Sequence, residues 1–124
     1  QAGRIAEAIP RFEAAVRLEP ESAAARGNLG TALAAQSRWR EAVPHLEAAA
    51  RLQPDNAATL AQLGVVLVNS EQLEAAVPVF ERALRLDAKS AALHQNFAQL
   101  LRALGRNREA LEHFEKAADL QRLR

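Results

Sequence analysis

The sequence predicts an all-α array of stacked helix hairpins, and three observations carry the prediction. Sliding the stretch 23–56 along the chain by 34 residues lands like on like in nearly every column. Within that stretch the apolar residues fall on helical stripes: Leu29-Gly30 and Leu33 first, then Trp39, Ala42, Leu46 and Ala49, closed by Pro54-Asp55. Alanine dominates while aromatics make up only 4 %, which suits closely packed helices and disfavours strands, so no strand is expected. A fixed period of this length means repeated hairpins whose core runs along a stack, rather than one ordinary globular core.

The columns recur in both directions. One period later come Leu63-Gly64, Leu67, Leu73, Ala76, Phe80 and Ala83, and after them Phe97-Ala98, Leu101, Ala110, Phe114 and Ala117. The backward shift gives Ile5, Ala8, Phe12, Ala15 and Pro20. Small residues let the two helices of a hairpin approach, large ones fill the space between them, and the proline ends the second helix. This pattern resembles the tetratricopeptide repeat, in register over the whole chain. The resemblance implies a right-handed α-solenoid of seven helices: a leading half-repeat at 1–22 and full repeats at 23–56, 57–90 and 91–124. It also implies that the first helix of each pair lines a concave groove and the second a convex back. The implied function is protein binding, as a scaffold that takes a peptide or partner helix in its groove. Self-association, or the positioning of a fused domain, is the alternative.

In chain order, residues 3–18 read as a second helix, followed by helix pairs at about 22–35 and 38–52, 56–69 and 72–86, and 90–103 and 106–120. Ser22 has the side chain and position of an N-cap. Gly105 occupies the tight turn of the last pair, where a positive φ is easy. Pro10, Pro44 and Pro78 recur 34 residues apart, a few residues into each second helix. If those helices start only three or four residues earlier, the missing N–H falls among donors that lack an intrahelical partner in any case. Ala88 stands where Pro20 and Pro54 stand, so the join between the third and fourth repeats is expected to be more helical or more mobile.

Charge excludes little and favours nothing in particular. Sixteen basic and fifteen acidic residues leave a formal net charge of +1, without a global field for nucleic acid or anionic lipid. Only 91–124 is mildly basic. The absence of cysteine removes disulfides and thiolate chemistry but leaves the compartment open. No run of 18 or more apolar residues exists that would span a membrane. The chain begins in mid-repeat at Gln1, so it is expected to be a piece of a longer protein, with a leader or further domain upstream left open.

By the resemblance, the groove-facing residues include Asn28, Thr31, Gln62, Val65, Val68, Asn69, Asn96, Gln99 and Arg102. Asn28, Gln62 and Asn96 form one column of primary amides, each able to donate to and accept from an extended peptide backbone. The column also reads as solvated polar residues beside the packing stripe. Places that hold a terminal carboxylate in chaperone-binding relatives of this family carry no lysine or arginine here: they are Gly27, Thr31, Gln62, Ala92 and Asn96. Arg102 is the groove's one cation. Val65 and Val68 are apolar where such a groove is usually polar. They either receive an apolar ligand side chain or are buried against neighbouring helices.

Nothing in the sequence supports catalysis, and no cofactor or metal is expected. His45 and His113 share a column but lie two repeats apart, about 20 Å if helices pack 8–10 Å apart, too far to share a metal ion. Phe12, Phe80 and Phe114 face the packing seam rather than a base-stacking platform. The ends are expected to be sticky: Ile5, Ile9, Phe12 and Val16 form an apolar stripe on the leading helix, and Leu111 another on the last, so association through the half-repeat is expected.

Overall fold

A computed structural model describes residues 2–123. Among them are seven helices and no strand: α1 (Ala2–Leu18), α2 (Ala23–Ala35), α3 (Trp39–Leu52), α4 (Ala57–Asn69), α5 (Leu73–Leu86), α6 (Ala91–Ala103) and α7 (Asn107–Arg122). The expected boundaries hold to within a residue or two. Each helix packs on the next, and the hairpins α2–α3, α4–α5 and α6–α7 are the most extensive contacts. Helices α2, α4 and α6 also touch one another in series, whereas α1, α3, α5 and α7 do not. The array therefore curves with α2, α4 and α6 on its inner side.

Local chemistry explains each boundary. The first helices start at side-chain caps: Ser22 Oγ accepts from Ala25 N at 3.1 Å, Asn56 Oδ1 from Thr59 N at 3.1 Å and Ser90 Oγ from Leu93 N at 3.2 Å. They end in a turn with one left-handed residue. Arg38 N donates to Leu33 O, Gln72 N to Leu67 O and Arg106 N to Leu101 O, at 2.8 to 2.9 Å. The left-handed residues are Ser37 (φ 59°), Glu71 (φ 67°) and Gly105 (φ 80°), one column of the repeat. The sequence signals this conformation only at Gly105.

Packing inside each hairpin is set by one close approach. A Cβ built on Gly64 would lie 2.7 Å from the Phe80 ring, and one on Gly30 would lie 2.7 Å from Leu46 Cγ. Phe80, Leu46, Leu29, Leu100 and Leu101 are the largest fully buried side chains. Ala98 takes the glycine's place in the last hairpin, and its partner Phe114 is only half-buried, its ring met at 5.6 Å by the Arg102 guanidinium.

Two expectations are corrected here. Pro44 and Pro78 are the sixth residues of α3 and α5, and Pro10 lies deeper still in α1. The four N-terminal donors are already used up by then, since Ala42 N bonds back to Arg38 O and Ala76 N to Gln72 O. Each proline therefore removes a genuine intrahelical bond, and all three lie on exposed faces where water can satisfy the freed carbonyl. The α5–α6 join is not more helical than the others: α5 stops at Leu86 and α6 starts at Ala91, the same four-residue gap as between α3 and α4. Ser90 caps α6, and the Ala88 carbonyl is held by His94 Nε2 at 2.8 Å.

Candidate functional site

The inner face carries the predicted groove residues on α2, α4 and α6. Asn28, Thr31, Gln62, Val65, Asn69, Gln99 and Arg102 are exposed there, and Val68 and Asn96 are half-buried. Thr31 Oγ1 donates to Gln62 Oε1 at 3.3 Å, so the two side chains form a ridge from α2 to α4. That bond occupies the Gln62 oxygen and leaves its amide donors free. Asn69 Nδ2 turns back onto Val65 O at 3.1 Å, which spends one of its donors within α4.

Three depressions follow one another along this face. The first, about 560 Å³, lies beside Ile5, Phe12, Asn28 and Ala35 and ends at the Thr31–Gln62 ridge. The second, about 260 Å³, lies beyond the ridge, with Ala34, Trp39, Ala61 and Val65 as walls. The third, about 190 Å³, lies between α4 and α6 among Val65, Val68, Asn96, Gln99 and Ala103. Val65, 37 % exposed, walls both the second and the third. Neither of these two is lined by a charged side chain. They can hold apolar side chains while Gln62 and Asn96 bond to a backbone, but they offer no cation to pair with a carboxylate. Trp39, from the start of α3, is a lining residue the sequence reading assigned wholly to packing.

The histidines are arranged differently from the sequence expectation, which compared only members of one column. His94 and His113 lie in different columns, 19 residues apart, and their rings stack across α6 and α7 with centroids 5.2 Å apart. Their Nδ1 atoms are 2.9 Å apart. The equivalent side chains of the first hairpin, Arg26 and His45, also meet, with Arg26 Nη1 at 3.4 Å from His45 Nδ1. Among the described residues no group of three or more potential metal ligands converges.

The apolar stripe expected on α1 is largely covered. Ile9 and Val16 are 5 % and 9 % exposed because α2 packs over them, leaving Ile5 and Phe12 half-buried. Leu111 on α7 stays 58 % exposed. No helix among the described residues is long and apolar enough to cross a membrane.

Profiles of the tetratricopeptide repeat match residues 1–57, 28–91 and 91–122. No curated protein matches significantly. Among solved structures, the chain is similar to a MamA double mutant, RS-1 ArsTM (28 % identity, TM-score 0.93, 97 % of this chain and 67 % of that one). It is also similar to MamA from Desulfovibrio magneticus RS-1, residues 41 to the end (27 %, TM-score 0.93, 98 % and 69 %), and to MamA MSR-1 (28 %, TM-score 0.90, 97 % and 69 %). The chain thus spans about two thirds of the length of these structures.

Proposed function

Given that this chain belongs to the tetratricopeptide repeat family, a protein-interaction scaffold, we propose that its inner face binds an uncharged peptide segment or partner helix carrying apolar side chains. The observation behind this reading is the pair of uncharged depressions on either side of Val65. An apolar side chain in each is desolvated, while Gln62 and Asn96 satisfy the backbone between them. The lack of any cation in the second and third depressions argues against a terminal carboxylate as the anchor. In this reading the chain is a binding module rather than an enzyme.

Peptides selected from a random display library against the chain test it. The expected binders are poor in charge and lose affinity on Val65→Asp, with helical circular dichroism checking that the variant stays folded. Binders insensitive to Val65→Asp would refute the groove. A mass in solution that rises with concentration, with no peptide selected, would favour self-association instead.

A further inference from the structure

On the opposite side of α4 from the groove, a slot of about 600 Å³ opens between α3 and α5. Its floor is apolar: Ala50, Leu60, Leu63 and Val79. The repeat explains why it opens at the middle of the array. Residue 60 corresponds to Arg26 and His94, and residue 79 to His45 and His113. In the outer hairpins these side chains reach across and meet, Arg26 with His45 and His94 with His113. In the middle hairpin the shorter Leu60 and Val79 stand at these places and line the slot. Ala50 is also smaller than its counterparts Val16 and Leu84, so the floor is lower by two or three methyl groups.

The rim is cationic. Arg51, Arg82 and Arg85 line it, against one carboxylate, Glu47. Arg82 is held in place by donating from Nη2 to Pro54 O at 3.0 Å. Arg51 is 3.7 Å from Glu21, with both side chains mostly exposed, a pair that is easily exchanged for a better one. An apolar floor under three guanidinium groups complements an apolar side chain with carboxylates beside it, and repels a basic segment.

We infer that this slot is a second docking site, taking a single apolar side chain of a partner protein segment that is flanked by acidic residues. It is independent of the groove, because its lining faces away from Val65 and Gln62. The slot lets one chain hold two partners at once, on opposite faces of α4.

Fluorescence anisotropy with a labelled synthetic peptide, one leucine among aspartates and glutamates, tests the proposal. Saturable binding is expected, weakened by salt. Ala50→Leu, which raises the floor as Leu84 does one repeat on, is expected to weaken it about tenfold, a 1.4 kcal/mol change. Joint Arg82→Glu and Arg85→Glu substitution is expected to weaken it as much and to shift preference to a lysine-flanked leucine peptide. Val65→Asp is expected to leave it unchanged. Should Ala50→Leu lose its helical circular dichroism, Val79→His serves as the filling variant, since histidine stands there in both outer hairpins. Equal binding of a peptide with serine in place of leucine would reduce the slot to charge attraction and overturn the proposal. Absence of binding, binding indifferent to both filling variants, decanoate binding without peptide binding, or a dimer of the chain that Ala50→Leu dissolves would each overturn it too.

Discussion

His94 and His113 face each other with their Nδ1 atoms 2.9 Å apart, and the proton between them can belong to only one ring. His94 Nε2 lies 2.8 Å from Ala88 O, which only accepts, so Nε2 carries the His94 proton. In the neutral pair His94 Nδ1 is then the acceptor and His113 Nδ1–H the donor.

A pH dependence follows. Burial, and then the neighbouring His94, hold the His113 pKa below its ordinary value, while Glu112 and Glu109 pull weakly the other way. Burial and Arg26 do the same to His45, against Glu13 and Glu41. A histidine with a depressed folded pKa takes up protons more readily when unfolded. Its stabilisation is present above the unfolded value of about 6.5 and is lost as pH falls from there through the folded pKa. The melting temperature should therefore decline from about pH 7.5 to about pH 5, before ordinary carboxylates titrate. His113→Gln and His45→Gln together should flatten most of that slope. An unchanged slope in the double variant would mean that other groups carry it.

The groove amides should contribute to binding and little to folding. Replacing Asn28, Gln62 and Asn96 by alanine removes modest hydrogen bonds, each about 0.5–1.5 kcal/mol, to an extended peptide. Calorimetric titration with a selected peptide should show that loss, with the thermal melt nearly unmoved. A large drop in melting temperature would make the column structural.

Two glycines of one helix type should respond oppositely to alanine. At Gly64 the new methyl would meet the Phe80 ring at 2.7 Å, and Phe80 is 1 % exposed, so a loss of about 1–3 kcal/mol is expected. At Gly27 nothing lies within 4 Å, and alanine should gain about 0.5–1 kcal/mol from helix propensity. Urea titrations of the two variants distinguish these outcomes by sign.

The turn column offers a third contrast. Ser37 and Glu71 hold left-handed backbone without being glycine, so Ser37→Gly and Glu71→Gly should each stabilise by about 1 kcal/mol. Gly105→Ala should destabilise by a similar amount. A neutral effect at all three would show that these turns relax on substitution.

Periodicity alone determined most of the architecture. A hairpin cannot bury its apolar stripe by itself, so a 34-residue recurrence of that stripe dictates a stack, its helix order and the side chains between partners. The left-handed turns at Glu71 and Ser37 lie one and two periods before Gly105 and so share its column, although neither residue type signals them. Tertiary structure alone decided what depends on neighbours outside a column. The His94–His113 contact joins two columns that meet only because α7 folds back along α6. Ile9 and Val16 are covered because α2 reaches over them, and Val65 stays exposed because the array curves with α4 on its inner side. Each of these turns on angles and distances between helices, and side-chain volumes summed over many contacts set those.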